Sequence, residues 1–229
     1  MRLYFCDRKI VLRFRNEGTR FIRDYSTNTT SAPQNAFIDG KGRIVAFFDQ
    51  HRVSEDEMLV VMERRFVDKL QQHLSHYLYI SDTKIDPADE MRVYWDLDGD
   101  AEPEGGILIP QKAGRLWLTS EKTDDADVAD EDMTRFRIRN EIPWQGIDFS
   151  DEMVLSVADE ERISYLKGCY LGQEIVARVH YRGKPPQKLV TKMLRDLPKE
   201  RRKEMTSLVT DHASGEIMGF VFDKVDTKE

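Results

Sequence analysis

The sequence predicts an α+β protein in which antiparallel sheets carry helices against one face. The chain has 229 residues, of which 40% are apolar and 34% are charged, a composition typical of a globular protein with its own core. Its first half places strand-like segments around one helical pattern. This length allows one or two domains. No apolar run approaches the ~20 residues that a membrane-spanning helix needs, so we expect no membrane segment.

The first half of the chain has the pattern strand, strand, helix, strand. Residues 1–15 alternate apolar and polar residues like a strand, and they lack the long apolar segment of a secretory signal. The order that follows is typical of an antiparallel sheet with a helix on one face. The expected elements are strands at 44–48 and 58–62 with a turn at 54–57 between them, a helix at 64–79 and a strand from 78 to 85.

The second half adds short strands and one more helix. An acidic block at 121–132 is expected to open this helix, because Asp and Glu stabilise the first turn. Pro185 and Pro186 interrupt the chain before a last group of strands, and 211–215 is a plausible hairpin loop. The expected elements are strands at 91–95, 107–109 and 116–118, a helix at 126–139, and strands at 189–194, 207–210 and 216–222.

The distribution of charge limits the possible partners. A formal net charge of −7 argues against a general nucleic-acid-binding protein, because phosphate binding depends on clustered Lys and Arg. A basic run nevertheless follows residue 177. Such runs are most often solvated surface, but this one adjoins a candidate thiol and also suits the anionic tail of a ligand. It consists of Arg178, His180, Arg182, Lys184 and Lys188.

The two cysteines, Cys6 and Cys169, predict neither a disulfide framework nor a metal site. A reducing cytoplasm is therefore the expected compartment. His73 and His76 stand one helical turn apart, a spacing that some metal sites use. No third ligand at a fitting spacing supports such a site, and a solvated helix face is the simpler interpretation.

The most informative segment is KGCYLGQE at 167–174. Cys169 stands two residues after Lys167, whose ammonium can stabilise a thiolate, and between Gly168 and Gly172, which let the backbone bend and approach a ligand. Lys167 can alternatively hold a ligand carboxylate. A buried, inert cysteine in a glycine turn is the simpler alternative.

Residues around this segment are further candidates. Gln173 and Glu174 offer an amide and a carboxylate, or cap the segment that follows. Flat ligands stack on aromatic rings, although most aromatic residues belong to the core. Asn28 is either a hydrogen-bonding amide for a ligand or a turn residue. The aromatic candidates are Tyr170, Trp144 and Tyr181.

The KGCYLGQE segment resembles the signature of the YgfZ family, the folate-binding relatives of the glycine-cleavage T-protein that assist iron–sulfur enzymes. Further similar segments follow the family order and cover most of residues 10–185. They are GTRFIRDYSTN at 18–28, FIDGKGRIVA at 37–46, and the segment that contains Arg137, Ile142, Pro143 and Gly146.

The resemblance implies a T-protein-like folate-binding fold with a ferredoxin-like element and a reduced C-terminal β-subdomain. It implies a folate-binding domain at 1–36 and 91–165, an inserted β-β-α-β domain at 37–90, and a motif with short strands at 166–229. The implied ligand is tetrahydrofolate or a derivative, bound with Asn28, Trp144, Arg178 and Tyr181. The implied partners are iron–sulfur enzymes or their assembly proteins, in a context that includes tRNA modification, and we expect a monomer without a metal site.

Two departures from the T-protein pattern limit the implied chemistry. Ala46 and Phe47 stand where the T-protein has its essential carboxylates, and neither can accept a proton. We therefore expect no aminomethyltransferase activity and no defined turnover. Arg139 stands where the T-protein offers a glutamate to the pterin, and arginine only donates hydrogen bonds. The leading hypothesis is an accessory factor that acts through Cys169. The alternatives are a binding module that has lost the folate and a one-carbon transferase on tetrahydrofolate.

Overall fold

The structure, a computed structural model, describes residues 2–99, 105–158 and 161–225. These residues form twelve strands and four α-helices. In chain order they are β1 (Leu3–Phe5), β2 (Lys9–Arg15), α1 (Gly18–Tyr25), β3 (Gln34–Ile38), β4 (Ile44–Arg52), β5 (Met58–Glu63), α2 (Val67–Tyr79), β6 (Lys84–Pro87), β7 (Arg92–Asp96), β8 (Ile107–Pro110), β9 (Arg115–Thr119), α3 (Asp130–Arg139), α4 (Gln173–Arg182), β10 (Gln187–Met193), β11 (Thr206–Thr210) and β12 (Ile217–Lys224).

Three antiparallel sheets organise these elements, which confirms the predicted α+β class. The five-stranded sheet has the order β3-β4-β5-β2-β6, the four-stranded sheet β1-β7-β9-β8, and the three-stranded sheet β10-β12-β11. In the first sheet, β2, β4, β5 and β6 alternate with α1 and α2 in the ferredoxin-like β-α-β-β-α-β order. This unit begins at Lys9, ahead of the boundary expected at residue 37. The domain limits themselves stay a prediction.

The five-stranded sheet is buried on both faces. In β5 all six residues are buried, because alternate side chains face two different clusters. Leu59 and Val61 face the four-stranded sheet, in a cluster with Trp95 and Leu116. Met58, Val60 and Met62 face α1 and α2 and pack with the aromatic residues of those helices. This two-sided burial explains why these strands are continuous apolar runs in the sequence.

A third cluster attaches α4 to the far end of the same sheet. Val176 is its fully buried anchor, and it packs with Ile38 and Ile44 of β3 and β4 and with Tyr170. The helix that follows the cysteine motif therefore lies against the turn between β3 and β4. The sequence interpretation did not include this helix.

Two predicted boundaries were wrong. Residues 78–80 belong to the end of α2 and its cap, where Leu78 packs against the helix-side cluster while Tyr79 and Ile80 are exposed. The strand expected from residue 78 is β6, which begins at Lys84. The helix expected from residue 126 begins at Asp130, and Asp130, Glu131 and Asp132 form its acidic first turn.

The C-terminal strands form as predicted. β11 and β12 enclose the hairpin at 211–215, where the Asp211 carboxylate accepts hydrogen bonds from the Ser214 backbone and hydroxyl at 2.9 and 2.8 Å. Gly215 has a φ of +71°, a conformation that suits glycine. β10 and β11 pair with either side of β12, so the reduced subdomain is one three-stranded sheet.

Candidate functional site

Two glycine-containing turns from distant parts of the sequence meet at the start of α4. Gly172 has a φ of +82°, and a Cβ atom there would lie 2.4 Å from the carbonyl oxygen of Asp39. Gly42 has a φ of +75°, and its Cβ would lie 3.3 Å from Ile175. Glycine at both positions permits the backbone conformation and the close approach. The FIDGKGRIVA and KGCYLGQE segments thus form one surface.

The turn between β3 and β4 is held by its own carboxylate. The Asp39 Oδ1 atom accepts hydrogen bonds from the backbone N–H groups of Lys41 and Arg43 at 2.8 and 2.9 Å. The Arg43 guanidinium donates to the backbone carbonyl of Asp151 at 3.3 Å. These hydrogen bonds fix the conformation of the turn that contacts the start of α4.

The two thiols lie in opposite environments. Cys169 is free and exposed, three residues before the αL residue Gly172 that precedes α4. Cys6 is free and buried, and burial raises its pKa to about 12. Only the thiolate is a nucleophile. Of the two thiols, only that of Cys169 is therefore accessible to a reagent or a partner protein.

The ammonium of Lys167 holds the end of α1. Its Nζ atom donates to the carbonyl oxygens of Arg23 at 2.7 Å, of Asn28 at 3.0 Å, and of Ser26. An ammonium has three donors, so these contacts use all of them. Burial lowers the pKa of Lys167 to about 8. The role predicted for Lys167 at the thiol stays a prediction, and this contact set gives the residue a structural role that the sequence did not suggest.

The other motif residues divide between core and surface. Tyr170 is buried, burial raises its pKa to about 12, and its ring lies 5.2 Å from the Lys167 Nζ atom. Gln173 and Glu174 form the first turn of α4, and no side chain of the described chain caps that helix. Gly168 is exposed. The motif thus exposes its thiol and buries its tyrosine.

The far end of α4 forms one wall of a groove. His180 stacks on Tyr165 with ring centroids 3.7 Å apart and an interplanar angle of 21°, and Tyr181 contacts both rings edge-on. The groove has a volume of about 500 Å³ and an apolar floor. Its lining includes Tyr165, Val179, His180, Lys184, Lys188 and Leu155. Neither lysine has a polar partner among the described residues.

Four predicted ligand-binding residues lie outside this lining. Arg178 and Tyr181 are exposed on α4, and Tyr181 contacts the lining residues Tyr165 and His180. The Asn28 side chain is buried, and its amide donates to the carbonyl oxygens of Gln34 and Glu161 at 3.0 and 2.6 Å.

Trp144 is buried between two arginines. The guanidinium carbons of Arg137 and Arg8 lie 4.2 and 5.1 Å from its ring centre. Next to it is a cavity of about 20 Å³, which is bordered by Phe47 and Arg162. The Arg162 guanidinium lies 4.7 Å from the Phe47 ring centre. A cavity of this size holds at most a water molecule.

Sequence reasoning missed a buried ion pair. The Arg137 side chain is 1% exposed, and it donates to Asp148 at 2.7 Å and to the Ser207 hydroxyl at 2.8 Å. The pair therefore joins α3, the loop after it and the C-terminal sheet. Arg139, which drew attention as a departure from the T-protein pattern, instead forms a half-exposed pair with Asp211 and lowers the pKa of that carboxyl to about 2. The charge pattern of α3 does not show from the sequence alone that Arg137 is buried and Arg139 is exposed.

Glu141 has a left-handed backbone conformation with a φ of +53°. Non-glycine residues adopt this region uncommonly. The Glu141 side chain is exposed and pairs with Lys112 at 3.2 Å.

Comparisons with known proteins support the fold. The structure is similar to the glycine cleavage system aminomethyltransferase T from Bartonella henselae, with a TM-score of 0.67 and 11% identity over 96% of this chain and 77% of that protein. At this identity the likeness shows the fold alone. In sequence, the chain is 26% identical over 154 residues to an uncharacterized protein of Haemophilus influenzae, which covers 65% of this chain and 55% of the relative. The chain spans about half the length of this relative. No protein-family profile matches.

Two further features are absent from the described ranges. Side chains of His, Cys, Asp and Glu nowhere form a group of three or more that could hold a metal ion. None of the helices in these ranges combines the length and the apolar character that a membrane crossing requires.

Proposed function

We propose that this protein is a YgfZ-like accessory factor for iron–sulfur enzymes, which binds a reduced folate and acts through Cys169. The observation that carries the proposal is the meeting of the two signature turns. Gly172 and Asp39 are in backbone contact, and the free thiol beside them is exposed. The T-protein-like fold supports the folate part of the proposal, because the YgfZ family and the T-protein are both linked to folate.

The groove at the end of α4 is the proposed folate site. Its volume of about 500 Å³ is within the usual range of roughly 300–1,000 Å³ for small-molecule sites. Tyr165 and His180 offer aromatic surface to a pterin or a benzoyl ring. Lys184 and Lys188 stand at the groove without partners in the described chain, and they attract the glutamate carboxylates of a folate.

Aminomethyl transfer is not part of this function. Ala46 is fully buried, and Phe47 packs edge-on against Phe149 with centroids 4.9 Å apart. Neither residue can accept a proton from an amine or stabilise a developing ammonium. One-carbon transfer on tetrahydrofolate is therefore the weaker alternative, and turnover of a folate one-carbon donor would identify it.

A titration with tetrahydrofolate tests the folate part. We expect wild type to bind, Tyr165→Ala to bind about tenfold more weakly through loss of ring stacking, and Lys184→Gln to bind more weakly at low salt. Tyr79→Ala is the control, because Tyr79 is an exposed aromatic residue at the end of α2. Thermal unfolding of each variant shows whether the fold is retained. Absence of heat and of any thermal shift in wild type would overturn the folate proposal.

A cellular assay tests the thiol part. In cells that lack this protein, we expect wild type to restore the activity of iron–sulfur enzymes and Cys169→Ser not to restore it. Cys6→Ser is the matched control, because Cys6 is buried. Full restoration by Cys169→Ser would make the thiol dispensable and overturn the mechanism.

One observation favours a second candidate, a binding module that has lost the folate. The cavity bordered by Trp144, Phe47 and Arg162 has a volume of only about 20 Å³, which is too small for a folate. The titration separates the candidates, because the module has no affinity for tetrahydrofolate in either cavity.

A further inference from the structure

A group of exposed side chains around α4 lies outside the groove. Arg178, Tyr181 and Arg182 are three and four residues apart, so they share one side of the helix. The ring of Tyr181 lies 6.2 Å from that of Tyr165, which precedes Leu166 in the chain. Leu166 is 98% exposed, and the exposed thiol follows three residues later. None of the five residues that we call the outer face of α4 lines the groove; they are Leu166, Cys169, Arg178, Tyr181 and Arg182.

The exposed leucine stands on an anchored segment. The backbone N–H of Ser164 donates to the carbonyl oxygen of Thr27 at 3.0 Å, and the Ser164 hydroxyl accepts a hydrogen bond from the backbone N–H of Lys167 at 3.2 Å. The Lys167 ammonium in turn holds the end of α1. Single exposed apolar side chains are common on protein surfaces. This one is fixed from both sides beside the exposed ring of Tyr181, so an apolar contact here orders little of the chain.

The two arginines of the outer face have no partner in the described chain. Neither Arg178 nor Arg182 forms an ion pair or a hydrogen bond there, whereas all three arginines of α3 form ion pairs. Like charges four residues apart destabilise a helix slightly, so α4 by itself gains nothing from this pair. The whole chain carries a net charge of −7, which makes the pair a local basic surface on an acidic protein. Guanidinium groups suit carboxylates, which they bind through two parallel hydrogen bonds.

We propose that the outer face of α4 is the docking site of a partner protein that presents carboxylates around an apolar contact. This inference rests on the proposed function, in which the partner is an iron–sulfur enzyme or an assembly protein. The carboxylates pair with Arg178 and Arg182, and an apolar side chain packs against Leu166 and Tyr181. Complementary charge orients the partner and brings its surface to Cys169. Nucleic acid fits this face less well, because the aliphatic side chain of Leu166 offers a base neither an aromatic ring nor a hydrogen bond.

Photo-cross-linking in cells tests the proposal. In cells whose own copy of the protein is deleted, the full chain is made with Tyr181→benzoylphenylalanine, an aromatic residue that cross-links to its neighbours on illumination. Mass spectrometry identifies the product. Phe5→benzoylphenylalanine is the control, because Phe5 is an exposed aromatic residue of β1 in the four-stranded sheet. We expect one major partner protein at position 181 and none at position 5.

Substitutions in the Tyr181→benzoylphenylalanine chain locate the contacts. We expect Leu166→Ser to lower the yield of the cross-linked product about tenfold, because it removes an apolar anchor. The double variant Arg178→Glu and Arg182→Glu should lower the yield by about the same factor, because it replaces attraction by like-charge repulsion.

Matched controls lie in the C-terminal subdomain. Leu208→Ser removes an exposed leucine from β11, and Lys199→Glu with Lys203→Glu reverses two exposed charges. Both controls should leave the yield unchanged. Thermal unfolding and a tetrahydrofolate titration of every variant show that the fold and the groove are retained.

The outcomes separate this inference from the proposed function. A yield that Leu166→Ser or the double arginine variant leaves unchanged overturns the docking face, and so does the absence of any product at position 181. A product that ribonuclease removes, or one that contains only a second copy of this chain, also overturns it. A partner that depends on both the leucine and the arginines but holds no iron–sulfur cluster supports the docking face and overturns the iron–sulfur function.

Discussion

Replacing Lys167 with methionine should destabilise the fold. The sequence alone had suggested a chemical role for this residue, beside the Cys169 thiol. Methionine keeps most of the aliphatic stem and removes the ammonium. The carbonyl of Asn28 retains a donor, the Asn35 amide at 3.2 Å. The carbonyls of Arg23 and Ser26 lose their contact with Lys167 at the C-terminal end of α1, where helix carbonyls lack intrahelical partners.

The expected cost is about 2–4 kcal/mol. A hydrogen bond from a charged donor contributes roughly 1.5–3 kcal/mol, and a buried group left without a partner costs roughly 1–3 kcal/mol. Two carbonyls are affected, but burial of the ammonium has its own cost, as its lowered pKa of about 8 shows. A chain of this size loses roughly 2–4 °C in Tm for each kcal/mol, so we expect a decrease of about 4–16 °C.

Urea and thermal unfolding measure this effect, with Lys184→Met as the control, because Lys184 is exposed and unpaired in the described chain. The folded pKa of Lys167 is below its ordinary value of 10.5, so the unfolded state binds more protons between about pH 8 and 10.5. The free energy of unfolding of wild type should therefore rise relative to Lys167→Met across that range. An unchanged Tm in Lys167→Met would refute the structural role. If alkylation of Cys169 were also slower in this variant, the result would support a role of Lys167 in stabilising the Cys169 thiolate.

Three more outcomes follow from single contacts. Gly172→Ala should lower stability by about 2–4 kcal/mol in urea unfolding, through its positive φ and its overlap with a backbone oxygen, whereas Gly168→Ala, whose Cβ meets no described atom within 4 Å, should be near neutral. Arg137→Met leaves its carboxylate partner buried and unpaired and should cost about 3–5 kcal/mol by the same measurement. Alkylation at neutral pH followed by mass spectrometry should modify Cys169 in the native protein and Cys6 only after denaturation, and equal native rates would contradict the burial of Cys6.

The sequence was sufficient for β4 and β5, because both are apolar runs that the fold buries along nearly their whole length. The runs at 44–48 and 58–62 predicted β4 and β5, and the acidic turn between them was placed correctly. The false strand from residue 78 has a physical cause. Leu78, Tyr79 and Ile80 form an apolar run that resembles a strand in the sequence, but Leu78 is only partly buried and the other two side chains are exposed. Burial of individual residues in such a run is decided by tertiary packing.

The candidate site was predictable only where its chemistry is local. Cys169 and its flanking glycines lie within one segment, and the prediction of an accessible thiol there agrees with its exposure. The partner of Lys167 is a helix end more than 130 residues earlier in the chain. The stacking of Tyr165 on His180 likewise requires the fold of α4. No periodicity in one sequence can show contacts of this kind, because they depend on which elements become neighbours.

The exposed thiol and the groove lie at opposite ends of α4. α4 has ten residues, a length of about 15 Å at 1.5 Å per residue. Cys169 precedes its first turn, whereas Val179 and His180 line the groove near its last turn. A ligand in the groove would therefore lie at the far end of α4 from the thiol. Under the proposed function, α4 would hold the folate near its last turn and leave Cys169, before its first turn, free to contact an iron–sulfur enzyme.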